Sequence, residues 1–367
     1  MTVASRRGII AGIAAAIAFT MTIAAAGQAV AAEKKNFKIA WSIYVGWMPW
    51  PYAQESGILT KWADKYGIAI DLVQINDYVE SINQYTAGAF DGVVVTNMDC
   101  LTIPAAGGVD SSSIILGDYS NGNDAVILKS VGIAPIKKTL ADISGQKVNL
   151  VQLSVSQYLL SRALETVNLK ESDVTLVNTS DADIVGAFGT SDVTALVTWN
   201  PQVSEILKNR NAQKVFDSSK IPGEIIDMMV VNTQTLKDNP KLAKALVGAW
   251  YEVLGVMRAD DAAAVAARTQ MAKDSGTDLE GFDGQLKTTR MYYDPAEATD
   301  FARSKELIKT MDLVRKFSFD HGLLGEGAKT VDKVGIVFPG GETQGDPQNI
   351  KMRFNADYMK MAADHKL

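Results

Sequence analysis

From Phe37 to Leu116 the chain alternates short apolar runs with stretches of helical periodicity, and few folds accept that rhythm. Phe37–Trp41 reads as a buried strand, and Trp47-Met48-Pro49-Trp50-Pro51 breaks it into a loop. An aromatic-rich helix follows and ends near Tyr66-Gly67; Ile68–Ile75 then alternates like a strand. Asp77 has the chemistry and position of a helix cap, and Gly88 stops the helix it would begin. Asp91–Thr96 is the next strand, Asn97–Ala106 the next helix, and Ser112–Leu116 a further strand. Strand, helix, strand, helix, strand implies a mainly parallel sheet with helices on both faces.

The same grammar restarts after Asp118-Tyr119-Ser120-Asn121-Gly122-Asn123-Asp124. Strands are expected at 125–129, 147–151, 174–177 and 195–197, and helices at 156–167, 182–188 and 201–207. Ile225–Val231 is one more apolar strand. Beyond Thr233 the pattern reads as nearly all helical, with periodic stretches at 242–257, 262–273 and 296–321. Two α/β lobes joined by extended crossings, with a helical tail, are therefore expected. The first lobe would hold residues 36–121, the second 122–225, and 226–367 would return to the first and add C-terminal helices.

Composition narrows the function. Asp plus Glu number 42 against 36 Lys plus Arg, giving a formal charge of −6. A nucleic-acid partner is not expected, because phosphate binding needs a basic surface. One cysteine, Cys100, and two histidines, His321 and His365, allow neither an intrachain disulfide nor a Cys/His zinc cluster. No metal or cofactor is expected. Cys100 reads as a buried thiol, and both histidines as structural. Pro339-Gly340-Gly341-Glu342 is a loop without the Gly-Lys-Ser/Thr of a phosphate cradle.

Residues 1–31 read as an export signal. Arg6-Arg7 precedes an apolar Ala/Ile run to about Ala26, and Ala29-Val30-Ala31 supplies a small-residue cleavage site. The run could alternatively span a membrane, but Gly, Ala and Thr dilute it and no second span follows. Without a cysteine at the cleavage point no lipid anchor is expected, and the arginine pair hints at twin-arginine export. The mature chain is expected in a periplasm.

The ordered fragments Trp41–Trp47, Asp91–Asp99, Gly117–Asp124, Thr198–Pro201, Ile221–Asp227, Val314–Phe317 and Asp320–Gly325 carry a resemblance along the whole mature chain. It resembles the periplasmic solute-binding proteins of ABC importers, nitrate/sulfonate/taurine type, and within them those found with urea-carboxylase systems. The resemblance implies a two-lobe, type II-like binding-protein fold, no catalysis and no cofactor. The export signal without an anchor, the missing catalytic groups and the two-lobe layout lead us to expect a monomer that passes a small ligand to an inner-membrane permease.

Ligand in such a fold sits where loops leave the carboxyl ends of the strands. Trp41, Tyr44 and Trp47 leave the first strand, and Thr96, Asn97 and Asp99 open a helix. Asp118 lies at the first crossing, Ser154 and Ser156 open a helix of the second lobe, Thr198 and Trp199 end a strand, and Glu224 and Asp227 flank the return crossing. Each has a plainer role open to it. Trp41, Trp47, Trp50 and Trp62 could pack a core, Asp99 and the serines could cap helices, Asp124 fits a turn-holding role, and Trp199-Asn200-Pro201 could be only a strand end and a proline helix start.

Three classes of function compete: a receptor for a small nitrogenous cation, a receptor for an anion such as nitrate or a sulfonate, and an enzyme like the related thiamine-pyrimidine synthases. The enzymes use a histidine and a Lys-bound pyridoxal group, and no histidine lies near an expected cleft strand. An anion would want arginine or a helix N-terminus, yet these segments carry Asp99, Asp118, Glu224 and Asp227 and no arginine. Guanidinium fits best, being flat, cationic and rich in paired N–H donors; urea shares its shape without its charge.

Overall fold

The computed structural model describes residues 34–130 and 137–367. The export segment read over residues 1–31 lies outside them. Among the described residues no helix is long and apolar enough to cross a membrane.

Two sheets organise the chain. The first contains β1 (Asn36–Trp41), β2 (Ala69–Gln74), β3 (Gly92–Thr96) and β4 (Ser111–Ser120). The second contains β5 (Ala125–Lys129), β6 (Lys147–Leu150), β7 (Thr175–Asn178), β8 (Ala195–Thr198) and β9 (Ala212–Asp217). The chain then returns to the first sheet with β10 (Ile226–Asn232), β11 (Thr289–Met291), β12 (Gly335–Val337), β13 (Thr343–Gln344) and β14 (Ile350–Phe354). The strand orders are β13-β12-β14-β4-β10-β3-β1-β2, with β11 on β4, and β7-β6-β8-β5-β9. We call each sheet with its helices a lobe.

Local chemistry accounts for the early elements. β3, Gly-Val-Val-Val-Thr, is buried at every position, as a strand covered on both faces must be. Asp77 caps the helix Tyr78–Thr86 by accepting from the Glu80 amide at 2.9 Å. The helix Pro240–Arg258 lies beneath the first sheet and stacks Trp250 on Trp50 with ring centroids 4.8 Å apart. Gly117 of β4 makes room for that indole, since a Cβ there would stand 3.0 Å from the Trp250 ring.

The sheets are mixed rather than mainly parallel. β1 pairs in parallel with β2 and β3, but β10 runs antiparallel between β3 and β4 because it enters from the opposite lobe. In the second sheet β6 is parallel to β7 and β8, while β5 is antiparallel to β8 and β9. The region beyond Thr233 is also less helical than its pattern suggests. β11 to β14 are two to five residues long, too short for a readable alternation, and all extend the first sheet. The periodic stretch 296–321 is two helices, Pro295–Ala302 and Lys305–Asp320, because Ser304 accepts from the Leu307 amide and caps a second start.

The lobes are joined at Asn121–Asp124, between β4 and β5, and at Ile221–Ile225, between β9 and β10. They also touch directly. Asp181 Oδ1 accepts from the Tyr78 amide at 3.1 Å, Ser180 donates to Asp77 at 2.7 Å, and the Val45 amide donates to the Asn200 carbonyl at 3.4 Å.

Candidate binding site

Thr96, Asp227 and Asp118 stand opposite one another on the adjacent strands β3, β10 and β4. Cross-strand partners present side chains to the same face, so the register alone lines up a hydroxyl and two carboxyls. Asp124 is brought beside them by the turn after β4, where its carboxylate accepts from Ser120 Oγ at 2.5 Å. All three carboxyls are buried, none more than 3% exposed.

Above this row lies a small cavity of about 20 Å³ lined by Tyr44, Trp47, Tyr78, Thr96, Asp124, Val155, Trp199, Ile225 and Asp227. A single water needs roughly 10–15 Å³ on this measure, so the space admits only a very small molecule. Four rings form a continuous wall. Tyr44 meets Trp47 with centroids 5.1 Å apart, Trp47 meets Tyr78 at 5.6 Å, and Tyr78 meets Trp199 edge-on at 5.6 Å. The first three rings belong to the first lobe and Trp199 to the second.

Asp118 and Asp227 are register partners on β4 and β10, close enough for a charge on Asp118 to disfavour ionisation of Asp227. Tyr44 Oη donates to Asp118 Oδ1 at 2.8 Å, while Asp118 Oδ2 finds no donor in the protein. Burial, which penalises the charged form, pushes Asp118 and Asp124 up to about 7 and holds Asp227 well above the usual carboxylate range. Each is raised further by its neighbouring acids. Among the described residues no Lys, Arg or His side chain lines the cavity. Among the described residues no group of three His, Cys, Asp or Glu is placed to hold a metal ion.

The residues singled out from the sequence divide among several places. Tyr44, Trp47, Thr96, Trp199 and Asp227 line the cavity, and Asp118 stands beside Asp227 on the neighbouring strand without lining it. Asp99 sits one layer back, accepting from Tyr78 Oη at 2.7 Å and Thr96 Oγ1 at 2.8 Å, and burial raises it to about 6. Asn97 pins the return crossing, donating to the Glu224 carbonyl at 3.1 Å and accepting from the Ile226 amide at 3.1 Å. Ser154 caps the helix Val155–Glu165, Trp41 ends β1 in the core, and Thr198 pairs with Ala125 at the end of β8. Glu224 turns away to Tyr158 Oη at 2.5 Å and to Arg162 Nε at 2.9 Å. Tyr78 was not among the sequence candidates; its place just after the Asp77 cap was the available signal. Asp124, for which the sequence favoured a turn-holding role, both holds that turn and lines the cavity.

Two mixed sheets with a ligand-sized chamber between them make an α/β periplasmic-binding-protein fold. The alkanesulfonate-binding protein SsuA from Xanthomonas axonopodis pv. citri, bound to MOPS, superposes with a TM-score of 0.65 at 17% identity, over 81% of this chain and 96% of that one. The nitrate-binding protein NrtA from Synechocystis PCC 6803 gives 0.55 at 14% identity, over 91% and 99%. Residues 14–272 match the NMT1-like family, and the chain belongs to it. The taurine-binding periplasmic protein of Escherichia coli K12 is 23% identical over 200 residues, which are 53% of this chain and 56% of that protein. That match thus spans little more than half of the relative's length.

Proposed function

We propose that the chain is the periplasmic solute-binding component of an ABC importer and that its ligand is guanidinium. The observation that carries the reading is the meeting of Asp124 and Asp227, with Asp118 beside Asp227 on the next strand, at a ring-walled cavity lined by no cationic side chain among the described residues. Guanidinium keeps its charge at neutral pH, offers paired N–H donors to a carboxylate, and lays a flat face on tryptophan or tyrosine. Taurine, sulfonates and nitrate are disfavoured, because an anion desolvated beside these acids meets like charge at a cost of several kcal/mol. The ligand is captured and released unchanged, and the protein works as a monomer that delivers it to a membrane permease. Closure pivots at Asn121–Asp124 and Ile221–Ile225, the two crossings between lobes.

One observation favours urea as a second reading. The indole Nε1–H of Trp47, a cavity-lining residue, is buried without an acceptor, and urea carries an acceptor oxygen where guanidinium has none. Calorimetric titration with guanidine, urea, taurine and nitrate separates the readings. Guanidine is expected to bind most tightly, in a one-to-one complex with a smaller radius of gyration than the empty protein. Tightest binding of urea selects the second reading, and tightest binding of taurine or nitrate overturns both.

A further inference from the structure

A helix leaves its first amides without partners inside itself, and the residue before it ordinarily serves only the second or third of them. Two helices of this protein, one in each lobe, follow that rule. In the first lobe Asp77 accepts from Glu80, the third residue of the helix Tyr78–Thr86. In the second lobe Ser154 accepts from Ser156, the second residue of the helix Val155–Glu165. Each local cap leaves over the amide of the first residue, Tyr78 or Val155.

Both of those amides are met from the opposite lobe. Asp181 of the second lobe accepts from the Tyr78 amide at 3.1 Å, and Asp99 of the first lobe accepts from the Val155 amide at 3.5 Å. The exchange is reciprocal: each lobe gives a carboxylate to the other's helix and takes one in return. Neither acid is more than 3% exposed, and the aligned peptide dipoles favour a negative charge at a helix N-terminus. Ser180, the neighbour of Asp181, adds a further crossing by donating to Asp77 at 2.7 Å.

The two contacts also converge on the wall of the small cavity. Asp99 Oδ2 accepts from Tyr78 Oη, Thr96 Oγ1 and the Val155 amide, and all three of those residues line the cavity. Tyr78 is held at both ends, its hydroxyl by Asp99 and its amide by Asp181. Asp99 and Asp181 themselves do not line that cavity. They hold the residues around a ligand without reaching the ligand.

We propose that Asp99 and Asp181 are positioning residues that clasp the lobes shut: by each capping a helix of the opposite lobe they set how long a ligand stays, while the cavity's own lining sets which ligand it is. The proposal rests on the reading of this chain as a two-lobe receptor that closes over a small solute.

The experiment measures association and dissociation rates of guanidine by stopped-flow tryptophan fluorescence on the wild type and four variants. Asp181→Ala deletes one acceptor and should speed dissociation by about 2- to 30-fold, the range that loss of a helix cap produces. Association should change little, as is usual when a contact within a closed complex is lost. Asp181→Asn keeps an acceptor oxygen for the Tyr78 amide and should restore the wild-type rate. Val155→Pro removes the amide that Asp99 accepts, at the first helical position, where proline is tolerated. It should release guanidine faster than Val155→Ala, which trims the same side chain further but keeps the amide. Wild-type dissociation rates in both Asp181→Ala and Val155→Pro overturn the clasp, as does an affinity loss carried by association alone. If guanidine does not bind the wild type, the ligand reading fails by itself, and the same rates taken with urea, taurine or nitrate, whichever binds, decide the clasp.

Discussion

Glu224 and Asp227 are three residues apart on the same return crossing, and they meet opposite fates. Glu224 is met by the protein itself, with Tyr158 Oη at 2.5 Å and two guanidinium nitrogens of Arg162 at 2.9 and 3.1 Å. Asp227 is buried deeper, and its charged neighbours are other acids, Asp118 and Asp124. A carboxylate compensated within the protein can rest charged in a dry place. One without a cation must hold a proton or wait for a cation from outside. The two acids thus separate what holds the crossing in place from what is left for a ligand, and the difference can be tested from both sides.

The largest expected effect is on the uncompensated side. Asp227→Asn preserves shape and removes the charge that a bound guanidinium would face. Truncating one member of a buried charge pair costs about 2–5 kcal/mol, or roughly 30- to several-thousand-fold in affinity. Titration calorimetry should show that loss for guanidine and little change for urea, which brings no charge. Unchanged guanidine binding would sink the cation reading.

Gly46→Ala acts on the same acids through packing. A Cβ at Gly46 would stand 2.5 Å from Asp118 Oδ2 and 2.5 Å from the Tyr44 ring, so the hydrogen-bonded pair they form must shift. Overpacking of this kind costs about 1–3 kcal/mol, roughly 5- to 150-fold in affinity if it falls on binding. Equal affinity for guanidine in Gly46→Ala and the wild type would mean that Asp118 is not needed where it stands.

The stability of the empty protein and its affinity for guanidine should depend on pH in opposite directions. Asp118 and Asp124 are raised by burial to about 7, above the ordinary unfolded value of about 3.9. The folded empty protein therefore holds protons that the unfolded chain releases. Their stabilising contribution is complete below about pH 4 and is lost as pH rises through about 7. A cation binds the deprotonated form, so guanidine affinity should instead rise over that window, by up to about tenfold per pH unit for each proton displaced. Thermal melts from pH 5 to 8, with and without guanidine, read both slopes; urea affinity should stay flat. A guanidine affinity that is also flat would show that no proton leaves the acids.

How much of this was legible in the sequence depended on range. β3 and the Asp77 cap declare themselves within a few residues, as a continuous Val run and an acid before a helix. β9 and β11–β14 do not, because short strands gain their identity from partners far along the chain. The site divides in the same way. Tyr44, Trp47, Trp199 and Asp227 follow from lying at the ends of readable strands. Tyr78 does not, since only the packed fold sets its ring between Trp47 and Trp199. Glu224 looked equivalent to Asp227 because its partner Arg162 lies 62 residues earlier, a distance over which charge pattern says nothing about pairing.

The smallest effect on binding is expected from the compensated side, and it is the sharpest control on the comparison. Glu224→Gln alone leaves Arg162 with Glu165 as a partner, and Arg162→Met alone leaves Glu224 with only Tyr158. The second change should be the more harmful, because it uncovers a carboxylate whose side chain is 13% exposed; removing one partner of a fully buried pair costs about 3–5 kcal/mol, and partial exposure lowers that figure here. The double variant removes both charges together and should recover much of the stability lost by Arg162→Met, as replaced buried pairs often do. Guanidine affinity should stay near the wild-type value in the double variant, because neither side chain lines the cavity. Melting temperatures and calorimetric titrations on the three variants complete the cycle. A double variant that folds as stably as the wild type but no longer binds guanidine would show that Glu224 serves the ligand after all, and that pairing within the protein does not mark an acid as structural.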